Sequence, residues 1–248
     1  MEVSLMEAYL NRIDGWDDAI ISMFLSKRTL TRELEMDIRA EVAKCINTNP
    51  EHGPVGALSH TTEKLNDWLK ILFKWCPKHI TMGRFLDFSI SVYGLHRGGQ
   101  DDLDSHAKRM ENRIIRSSTR LADFSDGEMS EYYQDKIIPT DEALEYLGIE
   151  LPTEIECAEN TYVRGVNGYI LKGMENNKDV KRGLYMLSIP SNFIFKVNLT
   201  EYAHIFKERN TNGTANPEVK TCIEKVTDKI EAASLGFINR DLLLKIKN

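Results

Sequence analysis

The feature that most constrains the fold is a strand followed directly by a capped helix, within residues 191–209. Residues 191–197, Ser-Asn-Phe-Ile-Phe-Lys-Val, are rich in aromatic and β-branched side chains, which favours an extended strand. Asn198 follows at a position suited to an N-cap, and Glu201 stands three residues later, at the offset of a capping box. The spacing therefore predicts a strand over 191–197 and a helix over 199–209.

The intervals between three polar residues add a geometric expectation. Asn198 lies 16 residues after Arg182 (198 − 182), and Arg209 lies 11 residues after Asn198 (209 − 198). Eleven residues make almost three helical turns, so Asn198 and Arg209 are expected on one helix face, about 16 Å apart. Local chemistry alone favours a simpler interpretation, in which Asn198 only caps and Arg209 only complements the helix dipole. Each role contributes about 1 kcal/mol or less.

Motifs on both sides of this helix resemble those of the flavin-dependent thymidylate synthases, the ThyX family. In that family, Arg-x-x-Leu-Pro is followed by a strand, an Asn, a helix ending in Arg, and Ala-Gln-x-Glu-Ile. Here residues 181–186 read Lys-Arg-Gly-Leu-Tyr-Met, and residues 215–219 read Ala-Asn-Pro-Glu-Val. Tyr-Met thus replaces Leu-Pro. The residues that match the family pattern in place are Arg182, Asn198, His204 and Arg209.

A second family signature, Arg-His-Arg followed seven residues later by Ser-x-Arg, survives here in spacing but not in identity. Lys-Arg-Met at 108–110 precedes Ser-Thr-Arg at 118–120 by the seven residues 111–117. Lys108 keeps the positive charge of the first position, Arg109 replaces the histidine, and Met110 replaces the second arginine. Arg116 stands where the family has a glutamate, and residues 86–92 resemble the family's Phe-Glu-His-x-Ser-Phe-Thr-Phe segment.

The resemblance covers residues 85–230 and implies an α/β (α+β) fold with a mostly antiparallel sheet flanked by helices. We expect a single domain over 1–248, in which residues 1–80 form a helical N-terminal part. The family implies a homotetramer with FAD at the subunit junction. By resemblance, the cofactor-binding residues are Lys108, Arg109, Asn198 and His204. The substrate-binding residues are Ser105, Arg116, Ser118, Arg120, Arg182 and Arg209.

The reaction that the family implies is reductive methylation of dUMP to dTMP, with methylenetetrahydrofolate and NADPH as co-substrates. Arg209 would act catalytically by stabilising negative charge that develops on the uracil ring. Met110 cannot donate the hydrogen bonds of an arginine, and Arg109 cannot titrate as a histidine does. Three interpretations therefore stay open: a diverged synthase, a flavoenzyme that modifies another pyrimidine nucleotide, and a non-catalytic nucleotide-binding relative.

A basic run, from Lys108 to Arg120, stands within an acidic protein of formal net charge −6. It is either a solvated helix face or an anion site, since arginine binds phosphate through two parallel hydrogen bonds. Nucleotide phosphates fit such a site. Nucleic acid is disfavoured, because neither a long basic face nor an aromatic stacking motif accompanies the run.

Several classes of protein and site are disfavoured by what the sequence lacks. It has no apolar run near the ~20 residues of a membrane helix and no signal-peptide pattern, so a cytoplasmic chain is expected. No glycine fingerprint of a dinucleotide fold or P-loop is present. The histidines show no metal-ligand spacing, and no metal is predicted. The scattered cysteines, interpreted as buried thiols, are Cys45, Cys76, Cys157 and Cys222.

Two earlier helices and a strand are predicted from periodicity. Apolar residues recur at helical spacing over 31–45 and 65–75, and Pro77 ends the second helix. The tryptophan stripe of that second helix is interpreted as core packing. Residues 88–93 alternate apolar and small polar side chains, which predicts a half-exposed strand.

Residues 94–100, Gly-Leu-His-Arg-Gly-Gly-Gln, are expected to form a flexible turn before a helix that begins near Asp101. Backbone amides of the Arg-Gly-Gly portion could cradle a phosphate at the helix start. Three acidic residues crowd that start and would repel an anion, so helix capping is the favoured interpretation. These residues are Asp101, Asp102 and Asp104.

Overall fold

A computed structural model describes residues 3–104, 113–116, 129–138, 140–165, 167–211 and 215–247. They form a mixed α/β fold, as predicted. The strands are β1 (Val3–Ser4), β2 (Glu7–Asp14), β3 (Asp87–His96), β4 (Arg113–Arg116), β5 (Met129–Ser130), β6 (Glu154–Cys157), β7 (Asn160–Gly165), β8 (Gly168–Leu171) and β9 (Pro190–Asn198). The helices are α1 (Trp16–Ser26), α2 (Arg32–Cys45), α3 (Glu63–Trp75), α4 (Arg97–Asp104), α5 (Thr140–Tyr146), α6 (Lys178–Lys181), α7 (Leu199–Asn210), α8 (Pro217–Ala233) and α9 (Arg240–Lys245).

The chain groups into two compact units. The first comprises Met1–Glu7, Tyr93–Asp101 and Arg116–Asn192, and the second comprises Ala8–Val92, Asp102–Ile115 and Phe193–Asn248. The first unit contains an antiparallel sheet in the order β6-β7-β8 and a parallel pair of β1 with β5. Most of a four-stranded sheet, in the order β2-β3-β9-β4, belongs to the second unit.

Helices α2 and α3 form where the periodicity predicts them, and each begins at a threonine cap. The side-chain oxygen of Thr31 accepts a hydrogen bond from the amide of Leu34, and that of Thr62 accepts one from Leu65. Trp68 is buried in the core, as predicted. Trp75 is 37% exposed, so the core prediction is wrong for this residue. It occupies the last position of α3, where Lys27 lies over its ring at 5.5 Å.

The N-terminal part is not helical throughout, because strand β2 precedes α1. From Glu7 to Asn11 burial alternates residue by residue: Ala8 and Leu10 are buried, whereas Glu7, Tyr9 and Asn11 are exposed. That alternation with a period of two is the pattern of a half-buried strand. The expected helical part therefore starts only at Trp16.

Three of the four cysteines are buried, as predicted, but Cys157 at the end of β6 is exposed. Burial raises the pKa of the Cys76 and Cys222 thiols to about 12. Both side chains are therefore neutral at physiological pH and pack as small apolar groups. Over the ranges that the structure describes, no helix is both long enough and apolar enough to cross a bilayer.

The loop between α2 and α3 is attached to strand β2 at Gly56, a position that only glycine fits. Its φ is +79°, and a Cβ there would lie 1.8 Å from the carbonyl oxygen of Ile13. The carbonyl of Gly56 accepts a hydrogen bond of 2.8 Å from the indole nitrogen of Trp16, a residue that is 2% exposed. The close approach to β2 thus orients both the loop and the start of α1.

We predict that Gly56→Ala lowers the free energy of unfolding by about 1–3 kcal/mol more than Gly236→Ala. Gly236 has the same φ of +79°, but a Cβ there would meet no atom within 4 Å. The control therefore carries only the cost of a left-handed alanine, about 1 kcal/mol. Urea unfolding of both variants measures the difference, and equal losses would contradict the steric argument.

Candidate active site

Helix α7 begins at the cap that its sequence predicts. Strand β9 runs directly into Asn198, whose side-chain oxygen accepts a hydrogen bond of 2.9 Å from the amide of Glu201. The amide of the next residue, Leu199, donates to the carbonyl of Leu86 at 2.8 Å. Asn198 is 7% exposed, so this junction between strand and helix is an internal feature of the second unit.

Two side chains in the first turn of α7 fix its rotation about its own axis. The hydroxyl of Tyr202 lies 2.8 Å from Oγ1 of Thr227 and donates to the carbonyl of Ile223, both on α8. Burial raises the pKa of Tyr202, which therefore stays protonated and able to donate. The hydroxyl of Thr200 donates to the carbonyl of Ile80 at 2.7 Å. The polar residues of α7 consequently hold defined positions.

Arg209 contacts the end of a different helix from its own. Its Nη2 donates a hydrogen bond to the backbone carbonyl of Asp102, in the last turn of α4. Its Nε is buried and has no hydrogen-bond partner among the residues that the structure describes. Arg209 stands in the last turn of α7, as predicted, and its guanidinium also binds the carboxyl end of α4. Ser105 and Lys108 follow Asp102 by only three and six residues (105 − 102 and 108 − 102).

The three predicted ligand-contacting residues of this segment, Asn198, His204 and Arg209, point in two different directions around the axis of α7. At about 100° per residue, Arg209 lies about 20° around the helix from Asn198, whereas His204 lies about 120° from Asn198. His204 is partly buried. Asn198 and Arg209 thus share a face, as expected, and a ligand that contacts His204 would approach α7 from another side.

The turn that carries Arg182 is positioned by a hairpin of the first unit. Residues Arg182–Leu184 form a short 3-10 turn, and the carbonyl of Leu184 accepts a hydrogen bond of 3.5 Å from the side chain of Asn167. The Leu184 side chain packs against Gly165 and Gly168, where a Cβ would lie 3.2 Å and 3.0 Å from it. The glycines at this β7–β8 turn therefore leave the space that Leu184 occupies.

The predicted turn over 94–100 and the helix start near Asp101 are wrong. Strand β3 continues to His96, and α4 begins at Arg97. The amides of Arg97 and Gly98 donate to the carbonyls of Ile189 and Leu187, at 3.0 and 3.1 Å. Because these amides are occupied, they do not form a phosphate cradle. Asp101 lies in the middle of the helix and does not cap it.

The basic run from Lys108 to Arg120 is not one continuous helix face, because Arg113–Arg116 form strand β4 beside β9. Arg116 belongs to this strand. The other predicted site residues of the run lie outside the described part of the chain and stay predictions: Ser105, Lys108, Arg109, Ser118 and Arg120.

Two buried carboxylates near the predicted contacts were not proposed from the sequence as site residues. Glu201 is fully buried in the first turn of α7, and Glu218 is 4% exposed in the first turn of α8. Each follows an asparagine cap, since Asn216 accepts hydrogen bonds from the amides of Glu218 and Val219. Carboxylates at these positions are stabilised by the helix dipole. The repeated cap is the sequence signal that could have identified them.

Comparisons with known proteins identify the fold. No protein-family model matches the sequence, and no curated protein matches it. Thymidylate Synthase X (ThyX) from Helicobacter pylori, solved with FAD and dUMP, aligns with a TM-score of 0.55 and 11% identity, over 96% of this chain and 99% of that chain. Another H. pylori flavin-dependent thymidylate synthase structure, complexed with FAD and dUMP, gives a TM-score of 0.56 and 12% identity, over 95% and 99%.

A third similar structure is a UMP/dUMP methylase, PolB from Streptomyces cacaoi, bound with 5-Br dUMP. It aligns with a TM-score of 0.56 and 9% identity, over 96% of this chain and 95% of that chain. The chain therefore has the ThyX fold over nearly its whole length. The fold class that the motif resemblance implied is confirmed.

We predict that Asn198→Ala lowers the free energy of unfolding by about 1 kcal/mol, because the amide of Glu201 loses its acceptor. Asn198→Ser keeps a side-chain oxygen at the cap, so its free energy of unfolding should fall much less. Thermal or urea unfolding measures both. A serine variant as unstable as the alanine variant would show that the cap hydrogen bond is not the source of the loss.

Proposed function

We propose that this protein is a flavin-dependent enzyme that methylates dUMP reductively to dTMP, using FAD, methylenetetrahydrofolate and NADPH. Two observations support the proposal. The chain shares its fold with structures solved with FAD and dUMP, and its motif residues occur at the family's spacing. Because fold alone does not determine function, the contacts of the motif residues carry the proposal.

The main observation is the contact between Arg209 and the end of α4. It joins the last arginine of the C-terminal motif to the backbone that leads into the second signature, at Ser105 and Lys108. The contact thus joins two segments of the second unit, Asp102 and Arg209, that are about a hundred residues apart in sequence. Such a contact is expected if both segments serve one ligand.

The chemistry of these residues fits an anionic, carbonyl-bearing ligand. The Nε of Arg209 is a buried donor with no acceptor among the described residues, and leaving such a donor unsatisfied costs about 1–3 kcal/mol. Because protein atoms cover that nitrogen, a carbonyl oxygen of a pyrimidine or flavin ring would accept from the other N–H groups of the guanidinium. The residues proposed to hold FAD are Lys108, Arg109, Asn198 and His204, of which the first two supply positive charge for its phosphates.

In the proposed reaction, FAD reduced by NADPH supplies the hydride, and methylenetetrahydrofolate supplies the one-carbon unit. The chain itself provides orientation and charge. Arg209, held in place by Asp102, would stabilise negative charge that develops on the uracil carbonyl. Arg120 and Arg182 would bind the nucleotide phosphate, and Ser118 would donate a further hydrogen bond. Ser105 and Arg116 complete the proposed substrate contacts.

A second candidate function is methylation of another pyrimidine nucleotide, such as UMP. The fold similarity to a UMP/dUMP methylase favours it, as do the departures from the family signature at Arg109, Met110 and Arg116. These side chains differ in charge and hydrogen bonding from the family residues, so the nucleotide they select can differ as well.

The proposed assembly is a homotetramer, and the proposed location is the cytoplasm. The assembly follows from the family resemblance, and the location follows from the sequence, which shows neither a membrane-length apolar run nor a signal-peptide pattern. Light scattering of the purified protein during gel filtration would measure the assembly.

We expect the purified protein to show the absorbance of bound flavin, either directly or after reconstitution with FAD. Given methylenetetrahydrofolate and NADPH, it should release tritium from C5-labelled dUMP, because methylation replaces that hydrogen. Parallel assays with C5-labelled UMP separate the two candidates. A protein that binds flavin but releases tritium from neither nucleotide would contradict both candidate functions. A colourless protein that cannot be reconstituted with FAD would indicate a non-catalytic relative.

We predict that Arg182→Ala and Arg209→Ala each weaken dUMP binding by about tenfold or more, since a charged hydrogen bond contributes about 1.5–3 kcal/mol. Arg32→Ala is the matched control, because the Arg32 side chain is 73% exposed on α2 and lies outside the motifs. Calorimetric titration measures all three, with thermal unfolding to verify folding. Unchanged titration curves for both motif variants would refute the placement of the site.

Flavin affinity tests the role of Asn198 separately from its cap. Asn198→Ser keeps the cap but shortens the side chain, so we expect weaker FAD binding at nearly unchanged stability. FAD titration of this variant measures the effect. Wild-type affinity would show that Asn198 only caps α7.

A further inference from the structure

A cavity of about 650 Å³ lies in the second unit, between strand β2, the loop before α3 and the last turns of α8. We call it the β2–α8 cavity. Its principal lining residues are Tyr9, Pro50, Pro54, Leu58, Lys229 and Ala232. The volume falls within the range of about 300–1,000 Å³ that is usual for small-molecule sites.

The loop that forms one wall of the cavity is held by several hydrogen bonds. The side chain of Asn47 donates to the carbonyls of Gly53 and Pro54, at 3.0 and 3.1 Å. The amide of Leu58 donates to the carbonyl of Ala233 on α8 at 2.8 Å, which links two walls directly. Gly56 and Trp16 secure the same loop to β2 and α1. The cavity is therefore preformed and does not depend on a ligand for its shape.

The chemistry of the walls is mostly apolar, with one cationic group. Proline, alanine and leucine side chains supply the apolar surface, and the 44% exposed ring of Tyr9 supplies an aromatic one. The ammonium of Lys229 lies 5.5 Å from the centroid of that ring, within cation–π distance. Lys229 makes no ion pair with any residue that the structure describes. Its charge is thus available beside an apolar surface.

The cavity lies at the opposite end of α8 from the motif at 215–219. Pro217 belongs to the motif at 215–219 and begins α8. Lys229 lies 12 residues further along this helix (229 − 217), a distance of about 18 Å along its axis. A ligand at the C-terminal end of α8 would therefore not occupy the motif at its N-terminal end.

We propose that the β2–α8 cavity binds a small molecule with a flat apolar body and a single anionic group. The apolar body packs against Tyr9 and the proline and alanine side chains. The anionic group pairs with Lys229. An uncharged molecule of the same shape also binds in the cavity, but the ammonium of Lys229 does not contribute to its affinity.

Two probes that share one ring system and differ by a sulfonate group test this site. They are 8-anilino-1-naphthalenesulfonate and its uncharged analogue N-phenyl-1-naphthylamine. Equilibrium dialysis is carried out in the presence of excess FAD and dUMP, so that neither probe reports on the nucleotide site. We expect one sulfonate probe bound per chain. Ala232→Trp, at an exposed position of α8, fills the cavity and should weaken both probes more than tenfold.

Lys229→Met should weaken the sulfonate two- to fivefold, the range of an exposed ion pair, and leave the uncharged probe unchanged. Lys220→Met, at another exposed position of α8, is the matched control and should change neither. The proposal fails if the sulfonate binds Ala232→Trp as tightly as the wild type, or if Lys229→Met weakens both probes equally. Equal effects of the two lysine variants would overturn it as well. Circular dichroism verifies that each variant is folded.

Discussion

The structure depends on the junction at which strand β9 becomes helix α7. Asn198 ends the strand, caps the helix and is almost fully buried, so one residue sets both the direction and the start of α7. The cap contributes about 1 kcal/mol, and each buried hydrogen bond of Tyr202 and Thr200 contributes a similar amount. Together they fix the helix against α8 and the segment before β3. The proposed contacts of Asn198, His204 and Arg209 all depend on that placement.

Arg209 connects this scaffold to the proposed chemistry. Its Nη2 binds the end of α4, while its Nε is buried and has no acceptor among the residues that the structure describes. Buried polar groups in native proteins are nearly always satisfied, so a partner for this nitrogen is expected from outside the described residues. In the proposed function, the remaining N–H groups of this anchored guanidinium would stabilise charge that develops on the ligand.

The ThyX fold persists here at 9–12% sequence identity to the solved structures. Such persistence is physically reasonable, because a fold requires the pattern of apolar positions, caps and turns more than particular residues. Catalysis requires particular groups at particular places. The replacement of a histidine by Arg109 and of an arginine by Met110 therefore bears on substrate and activity much more than on fold.

Local chemistry determined the elements whose signals lie within one segment. Helices α2 and α3, strand β9 and the cap at Asn198 were all predictable, because periodicity and caps act over a few residues. The shared face of Asn198 and Arg209 followed from helix geometry alone. Resemblance in motif spacing, in turn, was sufficient to predict the ThyX fold.

Tertiary structure decided what depends on neighbours distant in sequence. The start of α4 at Arg97 follows from carbonyls of Leu187 and Ile189, about ninety residues away, and strand β4 within the basic run exists because β9 pairs with it. The partner of Arg209 is likewise a carbonyl of another helix. No local pattern could indicate these contacts, since each depends on which backbone groups the fold brings together and leaves in need of a hydrogen-bond partner.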